Sequence, residues 1–281
     1  MQTLLNTPHE IIQQNILGAA AKAKTRILNI LVLGMMAGSF IAMGAQSSSL
    51  AVHNISNIGL ARTLAGCIFP VGLMMIVFVG GELFTGDCMM SMAWMQRKIH
   101  FADMLRTLVL VYVSNFVGAA LIAFLVAHSG QYDYSFGALG AYTIKVAYGK
   151  VHLSFANALV SGILCNILVC VAVLMAAAAK DIAGKVLAIF FPILAFVVSG
   201  FEHCVANMYY IPAGIFASKN AAYAAKAFEL YNIDSTQLSS LNWGSFAISN
   251  LIPVTIGNII GGALLVGGAC FYLHGKALHE S

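Results

Sequence analysis

Apolar residues run along this 281-residue chain in long stretches parted by short polar ones. Sustained hydrophobicity predicts six spans, near 27–46, 63–95 (interrupted), 106–128, 155–179, 186–216 (interrupted) and 246–274. At about 1.5 Å of rise per residue, a helix of about 20 residues crosses a hydrocarbon core about 30 Å thick. A transmembrane β-barrel would instead show short alternating segments, and none are seen.

Two of the six do not read as single clean helices. The second carries "FPVGLMMIVFVGGELFTGDCMM" and the fifth "FFPILAFVVSGFEHCVANMYYIP", each with a proline early and a glycine just ahead of a glutamate. Proline removes a backbone donor and glycine loosens a helix, so both segments are expected to break at mid-membrane. Open backbone at that depth survives only when buried in protein or lining a cavity. A cavity is therefore implied.

The halves resemble each other. Aligning Gly81 with Gly200 also aligns Met89 with Met208, and "SNFVGAALI" in the third span matches "GNIIGGALL" in the sixth, with Asn115 on Asn258 and Gly118 on Gly261. Three spans per half is an odd number, which turns the second copy upside down. Such inverted repeats place a substrate site near the midplane, where broken helices meet. Half-helix N-termini carry partial positive charge, which favours an anion. The expected organisation is one transmembrane channel domain over 1–281: a segment 1–26, a first repeat 27–128 and a second repeat 155–274.

Composition agrees with a membrane protein: 60% of the residues are hydrophobic and 9% charged, against roughly a quarter charged in a soluble domain. The polar start lacks the charged, apolar and small-residue sequence of a cleavable signal, so the first span is expected to stay in the mature chain. With both ends in the cytoplasm, the inside segments collect Lys22, Lys24, Arg26, Arg97, Lys98, Arg106, Lys180, Lys185 and Lys276, nine of the 14 basic residues. This follows the positive-inside rule and predicts a multi-pass protein of the plasma (inner) membrane, set in a lipid bilayer. A formal charge of +4 is too small and scattered for nucleic acid. Six cysteines without CxxC spacing read as buried apolar residues, and no metal or cofactor is expected.

Ionisable groups within spans mark pathways. His203 is the deep histidine and is placed on the pore. Glu202 beside it, and Glu82 by symmetry, read as residues pinning broken helix ends. Thr85 offers a hydroxyl to a passing ion or to His203. Asn166 and Asn207 are amides that can bond freed backbone groups, and Asn115 and Asn258 with their glycines are assigned to close helix packing. Phe69, Leu73, Leu83, Phe84 and Phe196 flank the breaks as dry constrictions. No GxSxG, HExxH or phosphate loop is present, so no enzyme is expected. An aquaporin-type channel for neutral solutes would show paired Asn-Pro-Ala motifs, and neither "FTGDC" nor "CVANM" supplies one.

"GELFTGD", "GFEHCVANM" and "NLIPVTIGNIIGGALLVG" (250–267) closely resemble the second, fifth and sixth spans of the formate/nitrite transporter family, and the likeness runs from about residue 15 to 275. The resemblance implies an all-α, aquaporin-like protomer of six spans in a homopentamer, with one pore per subunit. It also implies a pH-dependent channel or transporter for small monovalent weak-acid anions, formate foremost, with nitrite, hydrosulfide, acetate and lactate as relatives and protons as co-travellers. Carried over, the pore histidine is His203 and the facing threonine Thr85. Phe69 and Phe196 form one constriction and Leu73, Leu83, Phe84 and Val169 the other. Lys150 stands at the outer vestibule and Asn166 in the fourth span. "ELFTG", with Glu82 and Gly86, is a form shared with nitrite and hydrosulfide members.

Overall fold

The protein is seen as a computed structural model that describes residues 5–275. Lys276, counted above among the inside basic residues, lies outside the described residues. The described chain is helical, and six of its helices are long and apolar enough to cross a membrane.

Helix α1 (Pro8–Lys22) starts at a Thr7 cap whose hydroxyl accepts from the Glu10 amide while Glu10 reaches back to the Thr7 N–H. It buries Ile12, Ile16 and Ala19, spaced along one face, against the Met89–Met90–Met92 cluster and Val266. The spans follow: α2 (Ile27–Val52), α3 (Ile58–Val79), α4 over 84–95, α5 (Phe101–Ala127), α6 (Ala138–Val151), α7 (Phe155–Ala178), α8 (Ile182–Ser199), α9 (Cys204–Ala217), α10 (Ala221–Tyr231) and α11 (Trp243–Gly275). Helices α3 with α4, and α8 with α9, are the two interrupted spans. Helices α6 and α10 are shorter elements that hydropathy passes over.

The first span runs six residues past its expected end at 46, because Ser48 returns its hydroxyl to the Gly44 carbonyl and the polar run stays helical. The second and third begin five residues early, at Ile58 and Phe101. Arg62 and Arg106 therefore lie within helices.

Packing between spans depends on small residues. A Cβ at Gly38 or Gly118 would overlap the backbone of Asn115 or Met35, so α2 and α5 touch main chain to main chain. Gly257 and Gly261 bring α11 against Leu159 and Ile163 of α7 in the same manner. The opposite face of α5 shows Val109, Val113, Val117 and Leu121 to its surroundings, as a span in lipid should.

The breaks come from glycine, not from proline. Pro70 sits inside the continuous span Ile58–Val79 and Pro192 inside α8. Gly80 (φ 98°) ends α3 and Gly200 (φ 71°) ends α8, both in left-handed backbone that L residues rarely adopt. The equivalent positions are thus Gly80 and Gly200, and with them Glu82 and Glu202. The expected pairing of Gly81 with Gly200 is one residue out of register.

An asparagine holds each break. Asn115 Oδ1 accepts from the Phe84 amide at 3.0 Å, while its Nδ2 donates to the carbonyls of Glu82 and Gly34 at 2.8 Å each. Asn258 repeats the set: Oδ1 accepts from the Cys204 amide at 2.9 Å, and Nδ2 donates to Gly162 at 2.8 Å and Glu202 at 3.1 Å. These two side chains were expected to serve close packing. They also replace the backbone partners that the breaks remove.

Candidate functional site

The breaks meet through His203 and Thr85. His203 is the N-cap of α9, and its Nδ1 accepts from the Ala206 amide at 3.1 Å. That bond commits the lone pair to Nδ1, so the neutral ring carries its proton on Nε2 and donates it to Thr85 Oγ1, 3.0 Å away. Both side chains are buried, with Thr85 at 0% and His203 at 3% exposure. Asn166 fixes Thr85 from behind by donating to its carbonyl at 3.1 Å.

A cavity opens on either side of this pair. One, of about 150 Å³, is lined by His203, Phe69, Phe196, Lys150, Asn207 and Tyr210. Phe69 and Phe196 meet edge to face at 5.4 Å, and Phe196 lies over the His203 ring at 6.0 Å. The other, of about 540 Å³, is lined by Leu73, Leu83, Glu82, Gly86 and Asp87, with α1 supplying Gln14, Asn15 and Lys22. The second space reaches Leu83 and Gly86 on either side of Thr85 in sequence, and the first reaches His203, the partner of Thr85.

Each cavity holds a lysine paired with the glutamate of the nearby break. Lys150 Nζ donates to Glu202 Oε1 at 2.8 Å and lies over the Tyr210 ring at 5.3 Å. The other Glu202 oxygen accepts from Asn207 at 2.7 Å and Asn250 at 3.3 Å. On the opposite side Lys22 pairs with both Glu82 and Asp87. Burial works against the Lys22 charge, but Asp87 and Glu82 outweigh it and hold the ammonium above the usual lysine value.

The remaining expected residues fall as follows. Phe84 lines neither cavity: its ring packs on Tyr112 at 4.8 Å and floors an apolar cleft between α5 and α11. Asn115 holds the Phe84 amide, and the chain at this point turns the ring toward α5. Val169 is core, 1% exposed, and also lines neither. Asn166 and Glu202 support the pair and the break without facing either space. Glu82 faces the α1 cavity and pairs with Lys22, leaving the backbone to Asn115. Asn207 does reach its cavity, and its Oδ1 has no partner among the described residues.

Lys22 and Asp87 are the members that sequence reading passed over. The signal for Asp87 was present: it is a carboxylate inside an apolar run, two residues past Thr85. Lys22 gave none, because its place depends on α1 folding back beneath the spans.

The sequence pattern described as formate/nitrite transporter matches residues 9–272. The chain belongs to the formate/nitrite transporter family. It is 36% identical over 252 residues to the formate channel FocA of Haemophilus influenzae, covering 89% of this chain and 88% of that one. It is 38% identical over 272 residues to the uncharacterized transporter YrhG of Bacillus subtilis, covering 96% and 94%. Among solved structures it resembles a pentameric formate channel with formate bound, with a TM-score of 0.77 and 31% identity over 88% of this chain and 97% of that one. A multi-pass, helical membrane protein of this transporter family is thereby shown, and the relatives named here are channels and transporters, not enzymes.

Proposed function

We propose that the protein is a pH-dependent channel for small monovalent weak-acid anions, formate foremost, working as a homopentamer of inverted-repeat protomers with one pore each. Names of relatives support formate and a pentamer. The excess of basic residues on the α1 side supports a cytoplasmic location for that side. The observation that carries the pore reading is the Nε2–H of His203 held at 3.0 Å from Thr85 between two cavities, with apolar side chains on both flanks.

An anion leaving water for the Phe69–Phe196 ring faces a desolvation cost of several kcal/mol. At the pair an anion can take the His203 N–H or the Thr85 hydroxyl in place of their mutual bond, which offsets part of that cost. Low polarity also favours the neutral acid over its anion, so a weak-acid anion that takes the extra proton of a His203 ring charged from the bathing water, returning the ring to neutral, crosses Leu73 and Leu83 as an uncharged molecule. A strong-acid anion has no such route. No residue lines both spaces, and on this reading the side chains between them move as an anion passes.

The test is flux into liposomes for formate, nitrite, hydrosulfide, acetate and lactate across pH. Formate flux should rise as pH falls, and His203→Ala should flatten that dependence. A His203→Ala protein moving formate with the wild-type pH profile would remove the ring from the mechanism. Water flux without anion flux would instead favour the neutral-solute reading.

A further inference from the structure

At the α6-side mouth, charge pairing leaves an unexpected residue in command. Lys150 faces Glu202 at 2.8 Å, so at distances large compared with their separation their fields largely cancel. A cation outside the ion pairs, Arg62 of α3, lies beside the same cavity. None of the four ion pairs among the described residues includes it. It shares a stripe with Ala65 and Phe69, at i, i+3 and i+7, and those two line the cavity. Its guanidinium lies against Gly200, another lining residue, so closely that a Cβ there would collide with it. One N–H donates to the Val198 carbonyl at 3.1 Å, at the negative end of α8, and the side chain is otherwise exposed. Lys145, the next cation, is drawn aside over the Tyr231 ring at 4.6 Å.

We infer that Arg62 is the residue whose charge captures anions at this mouth. One unit charge about 7 Å away in water raises the local concentration of a monovalent anion about threefold. The inference rests on the anion-channel reading above and adds the residue that feeds it.

The test is initial formate uptake into right-side-out vesicles carrying the full-length protein, at about 10 mM and about 300 mM ionic strength. Arg62→Gln should raise the half-saturation concentration about threefold at low ionic strength. The difference should shrink to less than about 1.5-fold at high ionic strength, where the Debye length falls to about half a dozen ångströms. Arg62→Lys, which keeps the charge, should recover most of the loss. Capture by Arg62 is overturned if Arg62→Gln matches the wild type at low ionic strength. It is equally overturned if Arg62→Gln and Arg62→Lys are impaired alike at both ionic strengths, since the residue would then only brace the Gly200 turn. Absence of wild-type uptake would sink the channel reading itself, and is seen before any variant is compared.

Discussion

Asn258→Leu tests whether one side chain carries the second break. Leucine keeps the branching of asparagine at Cγ, though it is bulkier, and makes none of its three bonds, leaving the Cys204 amide and the Glu202 carbonyl unsatisfied while Gly162 keeps its partner within the helix. Asn258 is 0% exposed, so water cannot replace it. At about 1–3 kcal/mol for each of the two buried groups left unmade, the loss is at least about 2 kcal/mol, a large share of a typical total stability of about 5–15 kcal/mol. For a chain of this size that lowers Tm by roughly 4–8 °C. The assay is thermal unfolding of purified protein in detergent, followed by size-exclusion recovery or intrinsic fluorescence. Asn258→Asp should fall between the two, since it keeps the acceptor for Cys204 and loses both donated bonds. Asn115→Leu should match Asn258→Leu, because the first break has the same three bonds. A Tm shift under about 2 °C for Asn258→Leu would refute the claim that the asparagine supplies the break with its backbone partners.

Lys22→Gln leaves Glu82 and Asp87 facing the α1-side cavity without their cation, and should reduce anion uptake from that side roughly fivefold to tenfold at low ionic strength, measured in inside-out vesicles. The Lys22 value is raised on folding, so its contribution to docking α1 is complete below the ordinary lysine value near 10.4 and fades only as pH climbs through the raised one. Hydrogen-exchange protection of α1 should therefore show no loss from lysine deprotonation between about pH 6 and pH 9. Gly80→Ala and Gly200→Ala both strain a left-handed turn by about 1–3 kcal/mol. Only the Gly200 change displaces the Arg62 guanidinium, since nothing lies within 4 Å of a Cβ at Gly80. A double-mutant cycle in Tm should show Gly200→Ala coupled to Arg62→Gln and Gly80→Ala uncoupled from it.

Hydropathy made the six spans legible because lipid imposes a length and a composition that few other settings demand. That two of them break was legible as well, since a glutamate beside glycine inside such a run needs a polar place to sit. The position of each break was not, because proline and glycine compete as signals: Pro70 and Pro192 lie within helical backbone, and the handedness of Gly80 and Gly200 decides. Helices α6 and α10 escaped because they are short, mixed in polarity and stabilised by tertiary contacts such as the edge-to-face packing of Tyr223 on Tyr132. At the site, His203 stood out by depth alone. The Lys22 pairs arise between residues 60 or more positions apart, and no local pattern carries them.

The nitrogen of His203 that fastens the first turn of α9 is also the atom that must accept a second proton if the ring becomes a cation. Charging the ring and loosening that turn are then a single event. An acid-induced change in the pore would register in the amide exchange of Ala206 as much as in the current of anions past it.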